Sequence, residues 1–199
     1  MGSCQAGVYV FFVISGFAVA TSWKQSLTAG GTFGTYLLRR LVRIVPLYYF
    51  WIFVSISTGL TATYWQEAYD VKVGAWNIFA HLSFLSAFDG SIAASIVGVE
   101  WSLAIEVFYY LVIPGMVAIM LTRPAVGALL LVTGVLIWEL LPITLRYFGA
   151  TQQSDLQIWL FSPLPWMFSF VLGILAFQYR DRSNLVKARG AWPLVFVTA

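Results

Sequence analysis

The chain divides into long apolar runs separated by polar stretches, and the length of each run sets what it can do. Gly7 to Trp23 is 17 residues, which at about 1.5 Å each just reaches across a hydrocarbon core of about 30 Å with interfacial help. It ends at Lys24. A polar loop is expected from Gln25 to Thr35 and a second helix from Tyr36 to about Leu60. Thr61 to Gly74 carries Glu67, Asp70 and Lys72 and reads as an aqueous loop. Trp76 to Phe88 is apolar but has only 13 residues, short for a crossing. Gly98 to about Leu121 and Gly127 to Leu141 are expected as full-length helices, the second stopping before Pro142. A mixed loop from Ile143 to Gln157 precedes a span from Trp159 to Tyr179 and a polar segment from Arg180 to Gly190. The last apolar run, Ala191 to Ala199, has 9 residues and is too short to cross.

The basic residues decide between two topologies, because cytoplasmic loops carry the excess of Lys and Arg. If Trp76 to Phe88 is re-entrant or interfacial, nine of the eleven basic residues fall inside, leaving only Lys72 and Arg146 outside. If it crosses, Arg180, Arg182, Lys187 and Arg189 lie opposite Lys24, Arg39, Arg40 and Arg43. The first arrangement is expected: five full spans, one short segment, and the N-terminus outside.

Composition agrees with an all-α, polytopic transmembrane helix bundle. With 60% hydrophobic and 10% charged residues and a mean hydropathy of +0.84, the chain cannot cover a soluble globule with polar surface. The bilayer is therefore its first expected partner. The net charge of +3 is concentrated where apolar runs end, and no basic stripe suited to nucleic acid is present. A single cysteine, Cys4, excludes an intrachain disulfide. No metal site and no bound cofactor are expected.

Candidate chemistry gathers in Gly98 to Pro114, which places Glu100 and Glu106 in a run that otherwise reads as a membrane helix. An ionisable side chain in hydrocarbon costs roughly 2.5–3.5 kcal/mol, so it faces a bundle interior or a wet cavity and marks function. Helical spacing groups Ser102, Glu106, Tyr109, Tyr110 and Ile113 on one side and Leu103, Val107 and Leu111 on a side able to face lipid. The bland alternative is that Glu106 pairs with a Tyr or Arg to fix helix packing. Arg39, Arg40 and Arg43 lie on neighbouring turns and can converge on one anion, or serve only as a positive-inside anchor. Ser15-Gly16 suits close helix contact, with passage of a slender ligand chain as the alternative.

His81 is the only histidine. A packing or interfacial role is expected for it, although a histidine is also the side chain best suited to act as a base near neutral pH. Glu139 reads as an interfacial partner of Arg146 or a glycan contact. Asp89 and Asp155 read as loop carboxylates.

Three segments together resemble the acyltransferase 3 family of integral membrane O-acyltransferases: Gly7-Val-Tyr-Val-Phe-Phe-Val-Ile-Ser-Gly-Phe17, Arg39-Arg-Leu-Val-Arg-Ile-Val-Pro-Leu-Tyr-Tyr49, and Glu100-Trp-Ser-Leu-Ala-Ile-Glu106 with Phe108-Tyr109. Leu164 to Leu175 looks like a later helix of the same domain. The resemblance implies transfer of an acyl group, acetyl above all, from acyl-CoA to a hydroxyl of a glycan or other cell-surface acceptor, in the inner membrane of a bacterium. It implies that Arg40 and Arg43 hold the CoA phosphates, whose charge and planar geometry suit guanidinium groups. Trp101 and Ser102 would line the substrate path, and Glu106 would orient a base or an acceptor hydroxyl. A non-catalytic transporter or scaffold using the same carboxylates is the competing class.

Family members carry an earlier helix with a basic residue and a histidine regarded as catalytic, which has no counterpart in these residues. Residues 1–199 therefore read as a partial domain, without that first helix or the later ones. An inserted but inactive chain, with a helix-sized gap beside Gly16, is the corresponding expectation.

Overall fold

The computed structural model describes residues 3–147 and 159–195, with side chains over 6–147 and 159–181. Among the described residues the architecture is helical throughout. The α-helices are α1 (Ser3–Thr28), α2 (Phe33–Thr58), α3 (Thr63–Tyr69), α4 (Ala75–Leu82), α5 (Trp101–Thr122), α6 (Pro124–Tyr147) and α7 (Met167–Val195). Short 3-10 turns cover Leu85–Phe88 and Leu164–Trp166. Ala6–Thr28 of α1 and the whole of α2, α5 and α6 are four segments long and apolar enough to cross a membrane.

Several helix ends lie beyond the apolar runs. α1 continues past Lys24 to Thr28, and α2 begins at Phe33, so the expected Gln25–Thr35 loop shrinks to a tight turn. Thr32 makes that turn abrupt: its hydroxyl accepts the Thr35 amide while the Thr35 hydroxyl accepts the Thr32 amide, a reciprocal cap. The helix expected to stop before Pro142 runs through it to Tyr147. Pro46 and Pro114 likewise lie inside α2 and α5. In hydrocarbon no water satisfies a broken backbone, so a membrane helix tolerates a proline where a soluble one would end. The segment Arg180 to Gly190 belongs to α7 rather than to a polar connection, and the run from Ala191 begins inside that helix. Residues 148–158, with the rest of the expected loop and Asp155, lie outside the described residues, as do 196–199.

α7 packs along α1 and against α6, while α5 is held between α1, α2 and α6. The α1–α7 contact is close because glycines meet backbone there. A Cβ on Gly16 would stand 2.6 Å from the Phe170 carbonyl oxygen, and one on Gly173 would stand 2.2 Å from that of Val13. Gly16 therefore faces α7, not a gap, which corrects the expectation of an open space beside it. Phe12, Val19, Tyr110, Phe170 and Ile174 are fully or nearly fully buried in this central cluster.

The short segment between α3 and α5 folds back on itself. α4 has 8 residues, about 12 Å of helix, which cannot cross a core of about 30 Å. Phe84, at φ 60, turns the chain after it. The stretch leading to α5 is then tucked inside, with Ala93, Ala94, Ser95 and Ile96 at 0% exposure. Side chains staple it there: Trp65 Nε1 donates to the Ser91 carbonyl, Gln66 Nε2 to the Ser95 carbonyl, and Asn77 Nδ2 to Ser95 Oγ. Gly98, at φ 98, makes the last bend into α5, where a Cβ would also press on the Tyr64 hydroxyl at 3.1 Å.

The ends of α1 and α7 that carry basic residues come together. Lys24 forms an ion pair with Asp181, and Arg180 donates to Thr21 Oγ1 at 3.2 Å while lying over the Phe17 ring.

Candidate active site

Glu106 lies about a turn and a half into α5 and is 7% exposed. Its Oε1 accepts a hydrogen bond from Ser15 Oγ of α1 at 2.6 Å and another from the Tyr110 hydroxyl at 2.8 Å. A buried carboxylate without partners would be costly, and two O–H donors on one oxygen offset that desolvation. The Tyr36 hydroxyl of α2 donates to the Tyr110 carbonyl at 3.1 Å, so three helices converge on this point.

Arg40 approaches the same place from α2. Its guanidinium donates to the Ala18 carbonyl of α1 and lies 5.7 Å from the centre of the Tyr110 ring, within cation–π range. Arg43, one turn on, is exposed. Among the described residues, neither Arg39, Arg40 nor Arg43 forms an ion pair with a carboxylate.

Three cavities adjoin along this face. The first, about 420 Å³, is walled by Thr21, Ser22 and Gln25 of α1 and by Arg39, Arg40 and Arg43. It shares Ala18, Arg40 and Arg43 with the second, about 320 Å³, which contains Ser15, Glu106 and Tyr110. That one shares Arg43, Ile44 and Leu103 with a third of about 190 Å³, lined by Tyr48, Trp51 and Glu100. Arg43 borders all three. The three cavities therefore lie side by side, the first walled by a cluster of guanidinium groups, the second holding one buried carboxylate and the third a second.

Arg40, Arg43 and Glu106 are thus brought together, whereas Trp101 and Ser102 stand apart. Trp101 lines a separate aromatic cavity of about 270 Å³ with Tyr64, Trp65, Phe161 and Trp166. Ser102 donates to the Val99 carbonyl at 3.0 Å in the first turn of α5. Leu103, grouped by helical spacing with lipid-facing positions, instead borders two cavities, and Val107 is buried. Glu139 is exposed on α6 and makes no ion pair with Arg146, since the helix continues through Pro142 and keeps the two about two turns apart. Asp89 is a loop carboxylate, accepting from the Ser91 amide at 3.1 Å and from its hydroxyl.

The family follows from comparison over almost the whole chain. A family model described as an acyltransferase domain matches residues 2–199, and the chain belongs to the acyltransferase 3 family. It is 28% identical over 203 residues to "Nodulation protein 10" of Rhizobium leguminosarum bv. viciae, covering 94% of this chain and 52% of that protein. It is 27% identical over 194 residues to "Putative acetyltransferase ORF330" of Acidianus two-tailed virus, with 96% and 53% covered. A third relative, "Regulator of hypoxia-inducible factor 1" of Caenorhabditis elegans, is 25% identical over 165 residues, with 79% and 32% covered. The chain thus spans about half the length of two of these relatives and about a third of the other. No solved structure matches it.

Two elements of this site escape a reading of the sequence alone. Ser15 reads as a small residue for helix contact, yet it bonds to Glu106 from 91 residues away. His81 reads as a packing residue in a segment of its own, yet its ring lies against Glu100, with Nε2 to Oε1 at 3.4 Å and both side chains buried. No local pattern signals either contact. The one available hint for Tyr110 is its position four residues after Glu106, which puts both on one side of α5.

Proposed function

We propose that this chain is a membrane-bound acyltransferase that moves an acyl group, acetyl in the first instance, from acyl-CoA to a hydroxyl of a glycan or other cell-surface acceptor. The observation that carries the reading is the shared wall of Arg40 and Arg43 between the guanidinium-lined cavity and the one holding Glu106. In this reading Arg40 and Arg43 grip the CoA phosphates at the inner face, with Arg39 beside them. The pantetheine arm then runs past Ala18 toward Ser15 and Glu106. Five helices, α1, α2, α5, α6 and α7, cross the bilayer, and α4 is re-entrant.

The reaction needs little from the protein beyond position and proton handling. The acceptor oxygen bonds to the thioester carbonyl carbon, the C–S bond breaks, and the hydroxyl proton leaves to a base while CoA departs as the thiol. A carboxylate has about four lone-pair sites, and Ser15 and Tyr110 occupy two on Oε1 of Glu106. The remainder suit an acceptor hydroxyl or the group that deprotonates it. Holding the reactants in this geometry lowers the barrier by avoiding the entropy of bringing them together.

The test is acetyl-CoA binding and radiolabelled acetyl transfer by the chain in lipid nanodiscs, with simple glycosides as acceptors. Saturable binding that Arg40→Ala with Arg43→Ala weakens is expected. Absence of both binding and transfer would favour a non-catalytic scaffold or transporter.

A further inference from the structure

We propose that the aromatic cavity at the end of the bundle away from the arginines is a saccharide subsite, in which one sugar ring of the acceptor stacks on Trp101. The proposal rests on the acyltransferase reading above and adds to it where the acceptor is held and by what chemistry.

The cavity, about 270 Å³, is walled by Tyr64 and Trp65 of α3, Trp101 at the start of α5, and Phe161 and Trp166 ahead of α7, with Val8 of α1 at its side. Its rings brace one another. Phe161 meets Trp65 at 4.6 Å and Trp101 at 4.8 Å, edge to face at 83° and 87°. Trp65 Nε1 donates to the Ser91 carbonyl and Trp166 Nε1 to the Leu160 carbonyl, which fixes both indoles. Two donors remain unspent: among the described residues, neither Trp101 Nε1 nor the hydroxyl of exposed Tyr64 meets an acceptor. Membrane proteins also place Trp and Tyr at the lipid interface as anchors, but an anchor turns its ring outward. Trp65 is 6% and Trp166 2% exposed, so these rings face inward.

The wall selects its occupant. An indole face carries the negative side of the ring quadrupole, which attracts the weakly positive C–H groups on the flat side of a pyranose. The free N–H and O–H then meet the hydroxyls at the sugar's rim. A lipid tail has no use for those donors. Aromatic cages also hold quaternary ammonium ions, but no wall residue here is a carboxylate, and donors suit an oxygen and repel a cation. Sites for whole drug-sized ligands run about 300–1,000 Å³, so this cavity takes one ring of a longer saccharide.

α1 measures where that ring lies. Val8 stands at the aromatic cavity, Ser15 bonds to Glu106, and Ser22 lies in the guanidinium-lined wall. Each interval along the helix axis is about 10 Å, so Glu106 is midway between the two ends. Lys24, Arg123 and Arg180 share the guanidinium end, which turns the aromatic end outward by the positive-inside rule. Donor and acceptor thus approach one carboxylate from opposite sides. The aromatic cavity shares no wall residue with the Glu106 cavity. The stacked ring is therefore not the one that reacts; it anchors the acceptor while a neighbouring sugar offers its hydroxyl.

The experiment titrates the protein in nanodiscs with maltotetraose, cellotetraose and chitotetraose and their methyl monoglycosides, reading binding by saturation-transfer NMR and acetyl-CoA affinity by calorimetry. At least one tetrasaccharide should bind saturably, more tightly than its monoglycoside, and equally well in saturating acetyl-CoA. Trp101→Leu should weaken it roughly 3–10-fold, the scale of one lost aromatic contact, with acetyl-CoA affinity unchanged. Tyr64→Phe, which removes only a hydroxyl at an exposed position, should weaken it less and carries the test if Trp101→Leu fails to fold. Acetyl-CoA binding with no saccharide binding, or with saccharide binding indifferent to both variants, would overturn the subsite and leave the donor site standing. Competition between saccharide and acetyl-CoA, or binding of tetramethylammonium in place of saccharide, would also overturn it. Absence of acetyl-CoA binding would remove the acyltransferase reading, and any saccharide held by Trp101 would then not be an acceptor.

Discussion

Ser15 Oγ and Glu106 Oε1 stand 2.6 Å apart across the contact of α1 with α5, and Tyr110 approaches the same oxygen from the next turn. The carboxylate is therefore oriented by two helices at once. Glu106→Gln keeps an oxygen for both donors but removes the charge. A hydrogen bond to a charged group is worth about 1.5–3 kcal/mol, so acetyl transfer should fall roughly 10–100-fold at about 1.4 kcal/mol per decade. Ser15→Ala, which leaves Tyr110 in place, should fall less. Steady-state kinetics of the two variants, with thermal unfolding as a control for folding, checks the order; equal activity of Glu106→Gln and wild type would return Glu106 to a packing role.

Arg40 and Arg43 border the cavity that leads to Glu106, and neither is paired with a carboxylate among the described residues. Replacing both with Ala should raise the Kd for acetyl-CoA by about tenfold or more, on the scale of one or two charge-assisted hydrogen bonds. The loss should shrink as salt rises, because screening weakens the wild-type contacts. Titration calorimetry at low and moderate salt reads both effects, and unchanged affinity at each would assign these residues to anchoring alone.

The fold-back of α4 makes a prediction about sides of the membrane. After Cys4→Ala removes the native thiol, single cysteines at Tyr64 and Val99, which are 63% and 68% exposed, flank the segment in sequence. Ser95 is buried and would not report. Both probes should react with an impermeant maleimide from the same side of sealed vesicles. Reaction from opposite sides would mean that the α4 segment crosses.

The glycine contact of α1 with α7 should tolerate no side chain. Gly173→Ala puts a Cβ against the Val13 carbonyl and the Phe17 amide, both backbone atoms that cannot swing away. Overpacking of this kind typically costs about 1–3 kcal/mol. Gly7→Ala, whose Cβ would meet nothing within 4 Å, should be near neutral. Unfolding in detergent by tryptophan fluorescence compares the two.

The sequence by itself determined that the chain is helical with runs long and apolar enough to cross a membrane, because hydrocarbon would leave an apolar run of that length no alternative to a closed helical backbone. It also placed Tyr110 beside Glu106, since that neighbourhood is set by the local period of one helix. Leu103 defeated the same reasoning. Periodicity tells which residues share a side of α5, but that helix has α1, α2 and α6 around it, so no pattern within it names the side left for lipid. Pro142 was read by the rule for helices in water, where a freed carbonyl finds a partner, and the membrane suspends that rule. Only the tertiary structure decided that Ser15 reaches Glu106 and that His81 meets Glu100. Both contacts depend on how separate helices and a folded-back segment come to rest against one another, and that is settled by packing over the whole bundle rather than by any stretch of chain.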